Sequence, residues 1–241
     1  MAIQRITPMF TWPKQIPELS QAQVHAREDF MVHWHQVLPK KYGMIEKFNH
    51  VGAFTHPIEP GTRTLEIGAG LGAHIEFEDL SKQEYVANEL RAEMGKVIQT
   101  RFPNVEVIIG DVQDGLSAAT HSFDRVLAVH VLEHLPRLPQ ALREIKRVLK
   151  PGGYFQVVIP CEGSLAYTIA RNISARRIFE KRYKMSYDFL PACEHVNLAR
   201  EITYALKQEF NVDKQRFFPF SFLPIEMCNL VISMLCRPKN T

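Results

Sequence analysis

Apolar positions along this chain switch between two periods. From Glu18 to Leu38, the residues Ala22, Ala26, Phe30, Trp34 and Leu38 recur every four positions, the stripe of an amphipathic helix, and Pro39 is placed to stop it. Further on, short apolar and β-branched runs alternate with helical stretches. Thr64 to Ile67, Tyr85 to Asn88, Val105 to Ile109, Asp124 to Val129 and Tyr154 to Ile159 read as strands. Leu90 to Phe102 reads as a helix ended by Pro103, and Pro139 to Leu149 as an amphipathic helix broken by Pro151-Gly152-Gly153. Strands that alternate with helices in this way predict a parallel sheet covered on both faces. Arg200 to Phe210 reads as one more helix, and Val212 to Phe218 and Leu230 to Cys236 as two last strands.

Composition narrows the class without choosing a function. A chain of 241 residues, 46% hydrophobic and 23% charged, can bury one sizeable core and carry appendages. It has no apolar run of about 18 residues and no basic flank followed by an apolar core at its start, so a cytoplasmic protein with no transmembrane segment is expected. Cys161, Cys193, Cys228 and Cys236 lack C-x-x-C spacing, which favours reduced thiols over a zinc site. A net charge of +3 is too small to call for a nucleic-acid partner.

The candidate chemistry begins at Thr64-Leu-Glu-Ile-Gly-Ala-Gly-Leu-Gly-Ala-His74. Gly68, Gly70 and Gly72 allow a sharp turn and a close approach to a ligand, and a helix predicted to follow would add free N–H groups. The glycines alone also satisfy the dinucleotide fingerprint of dehydrogenases. Acidic residues sharpen the reading. Glu66 lies inside a strand that should be buried and therefore needs a partner. Glu89 follows the next strand and Asp111 follows the third, so three successive strand ends each carry one acid.

LEIGAGLG, YVANEL, VEVIIGDV, FDRVLAVHVLEHL and RVLKPGGYF occur in this order, and over roughly residues 40 to 160 the chain resembles the class I S-adenosylmethionine (SAM) dependent methyltransferases, small-molecule type, similar to those of ubiquinone biosynthesis. The resemblance implies an α/β fold: a Rossmann-like, doubly wound, seven-stranded sheet with a terminal antiparallel hairpin, an N-terminal helical lid and a substrate-cap insertion. It implies SAM as cofactor. Glu66 would order the glycine loop, with Gly68, Ala69 and Gly70 giving close approach to the methionine part. Glu89, followed by Leu90, would accept the ribose hydroxyls; Asp111 would accept the adenine amino group, with Val112 against the ring. His130 would line the methyl-transfer site as pocket wall or general base, and His134 is a second base candidate. The string VLEHL is similar to that of quinone O-methyltransferases, some of which hold a divalent metal with Glu-x-x-Glu-His here. This chain has His130 at the first Glu; His130, Glu133 and His134 would be the ligands of such a metal, but no metal is expected.

The implied division is an arm and lid over residues 1–60, a SAM-binding core over 61–160, a cap insertion over 161–197 and a C-terminal helix and hairpin over 198–241. Tyr42 and Phe48 are lid candidates; Tyr183, Tyr187 and His195 are substrate-cap candidates. Arginines and lysines at 171, 176, 177, 181, 182 and 184 crowd the cap, which suits an acceptor bearing carboxylate or phosphate, or a membrane or nucleic-acid surface. The implied reaction is in-line methyl transfer to an oxygen or nitrogen of a small-molecule acceptor. Alternatives are a methyltransferase acting on protein or RNA, a non-catalytic cofactor-binding module and, last, an NAD-linked oxidoreductase. The fourth strand ends without the Asn/Asp-Pro-Pro-aromatic motif of amino-group methylation in nucleic acids, so no nucleic acid is expected.

Overall fold

Seven strands form one sheet in the order β3-β2-β1-β4-β5-β7-β6. In this computed structural model, which describes residues 10–41, 43–54 and 56–239 (backbone alone at 34–41), they are β1 (Thr62–Ile67), β2 (Gln83–Glu89), β3 (Glu106–Ile109), β4 (Phe123–Val129), β5 (Leu149–Pro160), β6 (Phe210–Phe218) and β7 (Val231–Pro238). The first five pair in parallel, with Leu65 opposite Val86 on one side and Val126 on the other. β7 then runs antiparallel between β5 and β6, the terminal hairpin that the sequence predicts. β5 starts at Leu149, earlier than predicted, because Pro151-Gly152-Gly153 is absorbed as an irregularity in its pairing with β4.

The helices are α1 (Gln21–Lys41), α2 (Gly43–Lys47), α3 (Ala92–Arg101), α4 (Leu138–Val148), α5 (Leu165–Arg171), α6 (Arg177–Tyr183), α7 (Phe189–Glu194) and α8 (Ala199–Glu209). α1 runs through Pro39 instead of stopping there: a proline in the last turn removes only one backbone bond near an end where carbonyls already lack partners.

Strand alternation sorts the core. Leu65 and Ile67 join Val126, Phe155, Leu142, Ile145 and Ile202 in the larger apolar cluster, under α4 and α8. Thr64 and Glu66 point to the opposite face, with Tyr85, Arg125 and Leu127. The helix predicted after the glycine loop would cover that face, and it does not form. The segment makes turns and one 3₁₀ turn, Ile75–Phe77, held by buried polar groups instead. His74, 2% exposed, bonds Glu78 at 2.8 Å, and Glu78 takes both terminal nitrogens of Arg125 at 2.8 Å. A cavity of about 260 Å³ remains beside this network, lined by His50, Phe54, His56, Phe77, Glu78 and Arg125 among others.

α1 and the insertion after β5 share a third apolar cluster. Ala26 and Phe30 pack on Ala175, Phe179, Tyr187 and Leu190. Residues 10–17 lie along the far side: Phe10 meets Tyr204 edge to face at 5.4 Å, and Trp12 donates to Asn197 at 2.8 Å.

Candidate functional site

The carboxyl ends of β1, β2, β3 and β4 bring most of the predicted residues to one edge of the sheet. Gly68 turns with φ 65° against Val131, whose methyl a Cβ would meet at 2.7 Å. Gly70, φ 58°, has open space where a Cβ would stand, as a loop that admits a ligand requires. Its N–H donates to Glu89 at 2.9 Å, and the other Glu89 oxygen accepts from Arg91 N–H at 3.0 Å. Arg101 of α3 reaches back to the Leu71 carbonyl and to Glu76, clamping the loop. Ala69 N–H donates to the Asn88 carbonyl at 2.9 Å.

Glu66 is not bonded to the glycine loop as predicted. Its carboxyl accepts from the Tyr85 hydroxyl at 2.9 Å, on the buried polar face, and burial pushes its pKa up to about 8. Glu89 carries the bond to the loop because its strand ends level with it. Leu90 is 61% exposed, an apolar surface beside Glu89. Val112 is 4% exposed and its side chain packs in the main core, so that side chain is spent on the protein interior and not left for a ring. Asp111 is held as a turn acceptor by Gln113 N–H at 2.8 Å, with an Arg137 nitrogen at 3.6 Å.

The end of β4 meets the cap. His130 adopts φ 53°, a left-handed conformation rare for a side chain with a Cβ, and its Nδ1 lies 3.3 Å from Glu133. Glu133 is 1% exposed. Burial alone would raise its pKa, but the His130 hydrogen bond and the charges of His134 and His195 bring it down to about 2. Its Oε2 is buried without a hydrogen-bond partner among the described residues. His195 comes in from the cap; its Nδ1 donates to Glu162 at 2.8 Å, and Glu162 also receives Arg171. Burial works to lower the His195 pKa, but the Glu162 bond and the Glu133 charge raise it overall. Burial under the cap lowers His134, whose Nδ1 faces the Glu194 carbonyl. The two imidazole rings stand edge to face at 5.2 Å.

Glu133, His134 and His195 place one donor atom each within 4.8 Å of one another, a set able to hold a cation, and His130 is not part of it. Sequence reasoning missed Glu162, although it stands just beyond β5 in the position that singles out Glu89 and Asp111. The other cap candidates go elsewhere. Tyr187 is buried in the cluster between cap and α1, and Tyr183 packs beside it with its hydroxyl donated to Asp29, because the two aromatic rings are the apolar filling that joins these helices. Phe48 meets Phe218 with ring centroids 5.3 Å apart, and Tyr42 lies outside the described residues. Much of the basic charge in the cap is answered by acids: Arg171 by Glu162, Arg176 by Glu180 and Asp188, Arg182 by Asp29.

Residues 65–157 match the family described as "Methyltransferase domain". The probable phthiotriol/phenolphthiotriol dimycocerosates methyltransferase 2 of Mycobacterium ulcerans is 36% identical over 130 residues, 49% of this chain and 50% of that protein. Demethylmenaquinone methyltransferase of Renibacterium salmoninarum is 36% identical over 94 residues, 39% of each chain. The chain thus spans half or less of the length of these relatives. Among solved structures, the PH0226 protein of Pyrococcus horikoshii shares the fold with a TM-score of 0.55 and 19% identity, over 98% of this chain and 97% of that one. The glycine turn and the sheet order agree with that match, so this chain is similar to methyltransferase domains through its central region, residues 65–157.

Proposed function

We propose that this protein transfers the methyl group of SAM to an ionisable hydroxyl, or less readily an amine, on a small apolar acceptor. The observation that carries the reading is the juxtaposition at one sheet edge of an open glycine cradle with a Glu162–His195 pair, its acid buried and its imidazole half-buried, delivered by the cap. Gly70 has the unobstructed backbone that a closely held ligand needs, and Leu90 offers an exposed apolar surface next to Glu89. In this reading Glu89 holds the ribose hydroxyls, Asp111 the adenine amino group, Leu90 one face of the ring, and Gly68 to Gly70 the methionine part. Bound there, SAM supplies a methyl group already activated by its positive sulfur, so the protein's task is alignment and removal of a proton.

His195 is the base: Glu162 fixes its Nδ1 as donor, which leaves Nε2 to take a proton from the acceptor. His130 and His134 wall the site, and Glu133 stabilises the imidazolium once the proton has moved. The two relatives named for phthiotriol dimycocerosates and demethylmenaquinone support an apolar small-molecule acceptor. The pairing of Arg171, Arg176 and Arg182 with acids weakens the case for an acceptor with carboxylate or phosphate.

Titration calorimetry with SAM and with NAD tests the cofactor assignment. SAM should bind and NAD should not, and Glu89→Ala and Asp111→Ala should each weaken SAM by roughly 1–3 kcal/mol. Unchanged affinity in both variants would refute the site. Labelled methyl transfer to a panel of quinols and polyketide alcohols then finds the acceptor.

A further inference from the structure

Helix α5 has two different faces. Tyr167 and Arg171 turn inward beside Glu162 at the candidate site. Leu165 and Ile169 of α5, together with Ile173 in the π-helical turn Asn172–Arg176 that continues it, turn outward and are 60%, 51% and 59% exposed. Next to them stands the loop between β6 and β7, where Phe222 is 82%, Ile225 49% and Met227 53% exposed. The two segments touch: the Leu165 N–H lies 3.2 Å from the Met227 sulfur, and Ser164 donates to the Asn229 carbonyl. Asn229, fully buried, fixes the loop by bonds to Phe220, Leu223 and Ile225. These apolar side chains are therefore presented outward by a built loop. Six of them together make an apolar patch of the kind that marks an interaction surface.

Directly after that π-helical turn, α6 carries Arg177 and Lys181, four residues apart. Both are exposed, and neither pairs with an acid among the described residues, unlike Arg171, Arg176 and Arg182. Within the patch, the acid Glu226 is opposed by the charge of Arg200. An apolar stripe that passes into unpaired cations matches a bilayer interface, with apolar groups entering the acyl boundary and basic groups meeting anionic headgroups. We infer that this face docks the protein reversibly on an anionic lipid surface, with the mouth of the candidate site beside the membrane. Among the described residues no helix is long and apolar enough to cross a membrane, so the contact is peripheral. It would let an apolar acceptor pass along α5 without entering water. The docking goes beyond the proposed reaction and does not depend on which atom is methylated.

Co-sedimentation with phosphatidylcholine vesicles, with and without phosphatidylglycerol, tests the inference. The full chain should pellet with the vesicles that contain phosphatidylglycerol, and less so as salt rises. Ile169→Glu combined with Phe222→Glu should abolish pelleting. Arg177→Gln and Lys181→Gln should each weaken it about fivefold and flatten the salt dependence. All these positions are exposed, so SAM binding by calorimetry should stay at the parent value and report a folded protein; a failure of docking is thereby distinguishable from a failure of the cofactor assignment. The inference is overturned if the parent chain stays in solution with anionic vesicles, or if the double glutamate variant pellets like the parent. It is equally overturned if the parent is a dimer that Phe222→Glu dissociates while neither form binds vesicles, which would make the patch an interface between two copies.

Discussion

Two ionisable side chains at this sheet edge hold protons at unusual pH, and each makes a measurable prediction. Glu66 keeps its proton in the folded state up to about pH 8, whereas the unfolded chain releases it near the ordinary value of 4.5. Between those limits the native state binds more protons, so this residue makes stability fall as pH rises, by up to about 1.4 kcal/mol per pH unit. Glu66→Gln keeps an acceptor for the Tyr85 hydroxyl and cannot ionise. Denaturant melts should show the variant gaining on the parent as pH climbs from about 4.5 to about 8 and keeping a constant lead above that, and parallel stability curves across that range would sink the assignment. His195 behaves in the opposite functional sense. Its pKa is raised, so it becomes a free base only above the usual histidine range, and turnover should climb with pH through that raised value. Glu162→Gln removes the charge that raises it. The rising limb should move to lower pH while the plateau falls; His195→Ala should lower kcat by roughly 10²–10³ with KM little changed. A pH profile identical in Glu162→Gln would mean that His195 only packs the cap.

Among elements, the short segment Asn197–Leu198 between cap and α8 fastens three others. Asn197, with no exposed surface, donates to the carbonyls of Leu132 and Leu135 at 2.9 and 2.7 Å and accepts from Trp12 at 2.8 Å. It thereby ties the N-terminal arm and the cap to the turn that carries Glu133 and His134. Asn197→Ala removes the side-chain donor from the Leu135 carbonyl, one of two donors from the Leu132 carbonyl and the acceptor of the Trp12 indole N–H, at about 2–4 kcal/mol in total, and it should lower SAM-dependent turnover more than SAM affinity. A thermal melt and calorimetry on the same variant check both. The strands and the larger helices were legible in the sequence, because β-branched runs and stops such as Pro103 act locally. The stretch from Ala73 to Asp79 was not. It carries residues that a helix tolerates, and only the buried partnership of His74 and Glu78 with Arg125, brought in from β4, makes a different course preferable. No local pattern reports a partner 47 residues away. The site divides similarly: Glu89 and Asp111 could be read from strand ends, whereas the Glu162–His195 pair depends on how the cap folds back.

At the scale of the whole molecule, α1 and the insertion after β5 share an apolar cluster of their own and should open together as one unit. The cluster of Ala26, Phe30, Ala175, Phe179, Tyr187 and Leu190 is separate from the two clusters that sandwich the parallel strands. Phe30 and Phe179 meet edge to face at 5.1 Å at its centre, and both are 2% exposed or less. Truncating either should remove about 3–5 kcal/mol, but from the interface of α1 with the cap and not from the sheet. Because His195 rides on the cap while Glu89 stays with the sheet, that loss should separate the two halves of the proposed function. Phe179→Ala should keep SAM binding close to the parent value and lose most turnover. In hydrogen exchange, residues 21–33 and 165–195 should lose protection together while β4 and β5 keep theirs, as expected for sub-global opening. If the amides of β4 and β5 exchange faster to the same degree, the cap is no separate unit, and the placement of His195 by a movable element fails with it.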